Sequence, residues 1–360
     1  MSWRIDPAVA EILSKGRAGA GISRDEALVL LHLHADSREG YALLESANDL
    51  SRTSFGGKGE LHFHIGLNVE PCPMDCSFCS LTRQAGIFTA KVEFSLEEII
   101  AWARQGQVEG ADALNLMTTG TFPFSRLLEV GRRLKREVEV PLVANARDIN
   151  HAEGEQLLDA GFIGFYHAVR LGEGRDTPFD PARRIQTIRV LHDVGLQWMN
   201  CVEPVGPEHA PAEIVDLMLL ARREKATYSG IMRRINFPGS PMEPLGMISE
   251  RRMAQMVAVS RLVMGDTVRA HCTHEPHSLS LTAGANLLFP EVGSSPRDGT
   301  ADTGRGRGRS LGDCAAMLRE MEWRPELPSN CFRPIPPESV GAPAAAPRHR
   351  GSRAGQRSAG

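Results

Sequence analysis

Cys72, Cys76 and Cys79 fall within eight residues, Cys72-Pro73-Met74-Asp75-Cys76-Ser77-Phe78-Cys79, directly after an alternating apolar run at 61–69. On a loop stiffened by Pro71 and Pro73, three thiolates at these spacings can converge on one point. Soft thiolate ligands favour zinc, Cu(I) or an iron–sulfur cluster. Three of them leave a fourth position open, and at a cluster that open iron is where a substrate or cosubstrate binds. A structural zinc knuckle is the competing reading, with His62 or His64 as fourth ligand. Such sites pair two cysteine hooks far apart in the chain, whereas Cys201, Cys272, Cys314 and Cys331 are isolated. An electron-carrying ferredoxin needs a fourth cysteine nearby. The open cluster is the stronger reading.

The elements that position this loop come next. A chain of 360 residues can bury one barrel-sized core or two smaller ones. Its net charge of −3 gives no sign of a nucleic-acid or membrane partner. No apolar run approaches a membrane span, and the first residues, Met-Ser-Trp-Arg-Ile-Asp, hold no apolar signal segment. A soluble cytoplasmic protein is expected. Seven cysteines, three of them clustered, argue for reduced thiols and a metal rather than a disulfide framework.

Residues 1–58 have helical spacing, with a capping box from Ser23 to Glu26 and a break at Gly56-Gly57. They are expected to form a helical extension, a lid under a barrel floor. From Gly59 onward, short β-rich runs (61–69, 113–117, 141–144, 161–166, 197–202, 228–236, 267–270 and 285–289) alternate with helical stretches. The latter lie at 96–109, 124–137, 152–160, 182–194, 211–225, 249–264 and 310–321. Strand–helix alternation predicts parallel strands in an α/β fold, a (βα)8 TIM-type barrel over 59–325. A doubly wound open sheet is the alternative. Residues 334–360, rich in Ala, Pro, Gly and Arg, are expected to form a disordered tail.

In such a barrel the C-terminal strand ends carry the chemistry. The polar groups that this places at one mouth are Thr118-Thr119-Gly120, Asn145 to Asp148, His167 with Arg170 and Glu173, Glu203, Asn236, and Cys272 to His277. Any one of them also serves as a helix cap. Thr303 to Ser310, alternating Gly and Arg, is expected to be a surface loop, with an anion grip as its functional alternative.

The C-x3-C-x2-C spacing, with Phe78 before the last cysteine, resembles the signature of the radical SAM superfamily. The helical extension, the eight units, and the stretch Val268-Arg269 to Phe289 resemble its biotin synthase-like branch. That branch includes the [FeFe]-hydrogenase radical maturase, methylornithine synthase and the radical enzyme of the [Fe]-hydrogenase cofactor. The resemblance implies a [4Fe-4S] cluster on Cys72, Cys76 and Cys79 whose fourth iron chelates S-adenosylmethionine (SAM). It places Phe78 by the adenine, and Thr118, Thr119 and Gly120 where the SAM amino group is received, although no Gly-Gly-Glu stands there. It places His167 and Arg170 near the ribose and carboxylate, with Glu173 or Glu203 accepting from ribose hydroxyls, and Asn145 on the same rim. Arg269 matches an arginine of the sulfur-donating auxiliary cluster of biotin synthase. Leu116-Met117, Asn145 and Asn200 stand where that cluster's cysteines belong, with Cys201 one position off, so sulfur insertion loses its source.

Cys272, in Arg269-Ala-His-Cys-Thr-His274-Glu-Pro-His277, sits among metal-ligand residue types. Because strand neighbours face opposite ways, His271 and Cys272 do not both point inward. The segment is expected to line the substrate pocket, with Arg269, Cys272 and His274 as candidate catalytic groups. A second metal site or a radical-relaying thiol at Cys272 is the alternative. The function expected is reductive cleavage of SAM and hydrogen abstraction from a small molecule in cofactor or specialised-metabolite biosynthesis. A small electron donor such as flavodoxin or ferredoxin would supply the reductant. The rivals are a sulfur- or methyl-inserting enzyme with extra metal at Cys272, and a non-catalytic zinc or iron–sulfur scaffold.

Overall fold

The computed structural model describes residues 5–294 and 309–332. The expected tail at 334–360 and positions 303–308 of the Gly-Arg stretch lie outside the described residues. Eight parallel strands follow one another: β1 (Glu60–Gly66), β2 (Ala113–Met117), β3 (Leu142–Asn145), β4 (Phe162–Tyr166), β5 (Gln197–Met199, resumed at Val202–Val205), β6 (Tyr228–Arg233), β7 (Ala270–His274) and β8 (Leu287–Leu288, resumed at Glu291–Val292). Each pairs with the next. β8 then returns to β1, with Leu287 opposite Glu60 and Glu291 opposite His64. The sheet is therefore closed, and the (βα)8 barrel rather than the open sheet is the fold.

Strand parity explains the two layers of core. In β1, Leu61, Phe63 and Ile65 join the apolar layer under the helices, while His62 and His64 turn inward onto Phe289. The interior is filled rather than hollow. Ala113, Val143, Tyr166, Met199, Cys201, Tyr228, Cys272, Leu287 and Phe289 pack there. β5 and β8 are each broken by two residues. The first half of β5 pairs with β4, and its second half with β6.

The helices are α1 (Pro7–Arg17), α2 (Arg24–His32), α3 (Arg38–Phe55), α4 (Leu96–Val108), α5 (Phe124–Leu134), α6 (His151–Asp159), α7 (Pro181–Val194), α8 (Pro211–Arg223), α9 (Glu250–Met264), α10 (Ser278–Thr282) and α11 (Leu311–Glu320). Capping boxes open α2, α4, α6 and α11, satisfying backbone donors that a helix start leaves unpaired. α1 to α3 do not lie under the floor. They run along the outer side of α9, where Gln255 donates to the carbonyls of Leu30 and Leu33. Buried Arg261 donates to Ser51 and Ser54 of α3 and to the Gly265 carbonyl. Burial pushes Arg261 down to about 10, still charged at neutral pH.

The floor is closed instead by residues 324–332. Arg324 N donates to Gly57 O, and Ser329 Oγ and Asn330 N donate to the Glu60 carboxylate at 2.8 and 2.6 Å. Phe332 lies against the His62 ring, with centroids 5.4 Å apart. No helix among the described residues is long and apolar enough to cross a membrane.

Candidate active site at the barrel mouth

After β1 the chain forms a small antiparallel clip, Asn68–Val69 against Val92–Glu93, so that 70–91 is an excursion over the mouth. The excursion is tightly folded on itself. Cys72 N donates to Leu81 O (2.7 Å), Cys79 N to Cys76 O (3.0 Å) and Thr82 N to Cys79 O (3.0 Å). Asp75 is left-handed at φ 47°, a conformation Asp tolerates better than most residues. Its carboxylate accepts from Arg83 Nε and Nη2 at 3.0 and 2.6 Å, which offsets the local strain and fixes the turn between Cys72 and Cys76.

The loop after β2 presses against this turn. A Cβ on Gly120 would lie 2.6 Å from Met74 Cγ and at ordinary contact distance, 3.8 Å, from Cys72 Sγ, so a side chain here would press on Met74 beside the thiols. Ser77 N donates to Asp176 O of the loop after β4. Burial pushes the Cys76 thiol up to about 12, with the charges of Cys79 and Cys72 adding to it and Arg170 opposing it. Burial also raises Cys79. Holding Cys76 and Cys79 as thiolates therefore requires a positive centre beside them, which a metal cluster supplies. The donor set fits an iron–sulfur cluster.

Behind the loop is a cavity of about 270 Å³, reached by Phe78, Cys79, Thr118, Asn145, Arg170 and Glu203. Arg170 Nε lies 3.2 Å from Glu203 Oε1, and Tyr166 donates to Glu203 Oε2 at 2.5 Å. Burial alone lowers the Arg170 guanidinium, but Glu203 and Glu173 outweigh it and the net direction is upward. Arg170 is thus a fixed cation beside Cys76.

No protein-family model matches the chain. Curated sequences do. The biotin synthase of Renibacterium salmoninarum is 24% identical over 258 residues, covering 68% of this chain and 74% of that protein. The biotin synthase of Anaeromyxobacter dehalogenans is 28% identical over 260 residues, covering 68% and 70%. The chain is a radical SAM enzyme of the biotin synthase-like branch. Two solved structures share the fold of this radical SAM barrel. Methylornithine synthase (PylB) superposes with TM-score 0.73 at 18% identity, covering 88% of this chain and 97% of that one. HydG, a maturase of the [FeFe]-hydrogenase, superposes with TM-score 0.73 at 15% identity, covering 87% and 74%.

The radical SAM barrel brings Phe78, Thr118, Asn145, Arg170, Glu203 and His274 to the cavity. Other residues expected at the mouth are placed elsewhere. His167 is outward by strand parity, 3.2 Å from Asp148 and beside Arg184 of α7; burial, then Arg184, drive its pKa to about 3. It is a neutral residue behind the wall, not a rim contact. Thr119 is buried and donates to Glu70 at 2.5 Å. Glu173 accepts from Arg170 N (2.8 Å) and Thr177 Oγ1 (2.6 Å), so it shapes the loop that carries Arg170.

The candidate catalytic group divides as well. β7 runs from Ala270 to His274, ending four residues beyond the sequence-predicted run at 267–270, and this places Cys272 within the strand. Cys272 is fully buried beside Cys201, with its thiol 3.7 Å from Asn200 O, and it does not line the cavity. His271 turns the other way, to Val257 O of α9, as alternation requires. Arg269 precedes the strand and donates to Cys331 O, at the floor end. Of the three, only His274 reaches the mouth.

Sequence reasoning missed several groups. Glu70 gathers Thr119, Thr121, Asn68 and Lys91; against burial, the bonds from Thr119 and Thr121 and the charge of Lys91 hold its carboxyl below the usual range. Tyr166 and Glu291 also face the cavity, as does His64, which the sequence offered only as a zinc-knuckle ligand. Alternation through β1 could have found His64, since it places His62 and His64 on one face.

Proposed function

We propose that Cys72, Cys76 and Cys79 hold a [4Fe-4S] cluster and that the enzyme uses SAM to take a hydrogen atom from a small molecule inside the barrel. When bound and reduced, such a cluster supplies the electron that splits the sulfonium into methionine and a 5′-deoxyadenosyl radical. The observation that carries this reading is a tightly folded loop over the mouth of a closed barrel that carries three half-buried thiols within eight residues, with a cavity lined by Cys79 directly behind it. Each chain residue has a definite task. Arg170 pairs with a carboxylate, and its tether to Glu203 fixes the direction from which that carboxylate arrives. Glu203, turned by Tyr166, keeps acceptor capacity for hydroxyl groups. Phe78 offers an aromatic face for a base, and Thr118, Asn145 and the Gly120 backbone supply polar contacts around it. The filled interior beneath keeps bulk water from the reacting carbon.

A rearrangement, C–C cleavage or C–C joining agrees better with the interior than sulfur insertion does. Asn145 and Met117 face the cavity where sulfur-donating cysteines belong, and Cys272 lies beneath it. The relatives' names, biotin synthase and methylornithine synthase, point towards biosynthesis of a cofactor or unusual metabolite. A flavodoxin- or ferredoxin-like donor is the corresponding reductant. The deciding experiment is anaerobic reconstitution followed by addition of SAM and reductant. About four irons per chain, a spectrum altered by SAM and release of 5′-deoxyadenosine support the proposal. Zinc in place of iron, or a cluster indifferent to SAM, overturns it.

A further inference from the structure

Across the barrel from Arg170 and Glu203, three side chains of other strands meet on the cavity wall. His64 of β1, His274 of β7 and Glu291 of β8 each present a ligand atom, and these atoms all lie within 4.8 Å of one another. β7, β8 and β1 are consecutive around the barrel, and His64 and Glu291 are direct register partners. All three side chains are buried, and all three line the mouth cavity.

The set is held as ligand sets are held. Both imidazoles lie against Phe289, with centroid distances of 4.6 and 4.9 Å and tilts of 33° and 31°. One aromatic ring therefore fixes both imidazole planes. His274 Nε2 is 3.5 Å from Glu291 Oε1, while Glu291 Oε2 accepts from Ser294 Oγ at 2.8 Å. The serine turns one carboxylate oxygen aside and leaves the other towards the histidines, as outer-shell partners of metal ligands do.

We infer that His64, His274 and Glu291 form a mononuclear site for a divalent first-row transition ion. Two imidazoles and one carboxylate suit zinc or iron(II) and leave coordination positions open. Those positions face the cavity. With one carboxylate against a dication, the site keeps a net positive charge and takes an anionic oxygen donor of a substrate, such as a carboxylate or alkoxide. That use of the ion rests on the radical chemistry proposed above; binding of the ion does not.

A second donor set, Glu60, His62 and Cys331, lies at the floor. There Glu60 is already engaged by Ser329 and Asn330, and the segment acts as a plug. Its cysteine makes the two sets spectroscopically distinct.

The test is cobalt(II) added anaerobically to the reconstituted full chain with its cluster oxidised and therefore silent in electron paramagnetic resonance. The expected result is one equivalent of cobalt beyond the cluster iron, with a high-spin signal and no near-ultraviolet thiolate-to-cobalt band. His64→Ala, His274→Ala and the near-isosteric Glu291→Gln each weaken uptake by at least about 10-fold, with iron content as the check on folding. Cys331→Ser leaves uptake unchanged. No uptake by the unaltered chain, a thiolate band, or full uptake by all three variants overturns the inference. Iron counts and 5′-deoxyadenosine release on the same samples report the cysteine loop separately, so failure of one reading is not confused with failure of the other.

Discussion

Arg170 Nε and Glu203 Oε1 meet at 3.2 Å where the loop after β4 crosses the second half of β5. Glu203 is buried and Arg170 half-buried, and the pair is flanked by Tyr166 and Cys76, so its charges are only partly screened. It sets one edge of the cavity and gives the fixed positive charge a single orientation.

If that charge receives the carboxylate of SAM, Arg170→Ala should weaken SAM binding by about 2 kcal/mol, roughly 30-fold. Arg170→Lys should fall between, because it keeps the charge but loses the planar fork. Equilibrium binding of SAM to reconstituted protein measures both. Equal affinity in all three proteins removes Arg170 from the site.

Cys76→Ala should abolish reductive SAM cleavage, whereas Cys314→Ala and Cys331→Ala should leave it near normal. The distinction follows from position, since Cys314 is buried on α11 and Cys331 at the floor. Release of 5′-deoxyadenosine under dithionite reports the outcome, and undiminished release by the Cys76 variant refutes the assignment of the loop.

Gly120→Val should lower cluster occupancy by pushing Met74, and with it Cys72, out of register. Met74→Ala in the same chain should restore most of the iron, because the added methyl groups then occupy the vacated space. Iron per chain after identical reconstitution distinguishes this steric coupling from a general loss of fold, which the second substitution would not repair.

Acid should destabilise the barrel through its buried imidazoles. Burial, reinforced by Arg261, holds His271 at about 3, against about 6.5 when unfolded. A depressed histidine contributes stability that is complete above pH 6.5 and is lost as pH falls towards 3, because only the unfolded chain takes up the proton. Between pH 7 and 5 this one residue accounts for about 2 kcal/mol. His271→Asn should flatten the dependence of the urea midpoint on pH relative to the unaltered chain. Parallel slopes would show that the imidazole titrates normally in the fold.

Much of this was legible in the sequence because it is local. Cysteine spacing marked the loop, and capping boxes such as Ser95 to Glu98 marked helix starts. Strand parity ruled out an inward pair of His271 and Cys272 before any coordinates. What failed depended on where strands begin and break. A strand that continues four residues past its expected end, to His274, moved Cys272 from the rim into the interior. The interruption of β8 put Glu291 in a two-residue strand segment too short to carry a periodic signal. His167 fell on the outer face because Tyr166 took the inner one, a choice set by the register of β4 against β5. The place of α1 to α3 along α9 was invisible because it rests on side-chain-to-carbonyl contacts more than 200 residues apart, such as Gln255 to Leu30.

The plug at the base also bears on how the chain assembles. Glu60 begins the first strand, yet its two donors, Ser329 and Asn330, come about 270 residues later. Such a closure is entropically late, because the intervening chain must already be compact before these bonds offset the ordering they require. A nascent protein lacking those donors has a stack of eight strands open at one end, with the His62 imidazole and a bare carboxylate exposed to solvent. The strands are thus held by the large apolar layer beneath the helices, while the floor is sealed by a few hydrogen bonds from late in the sequence.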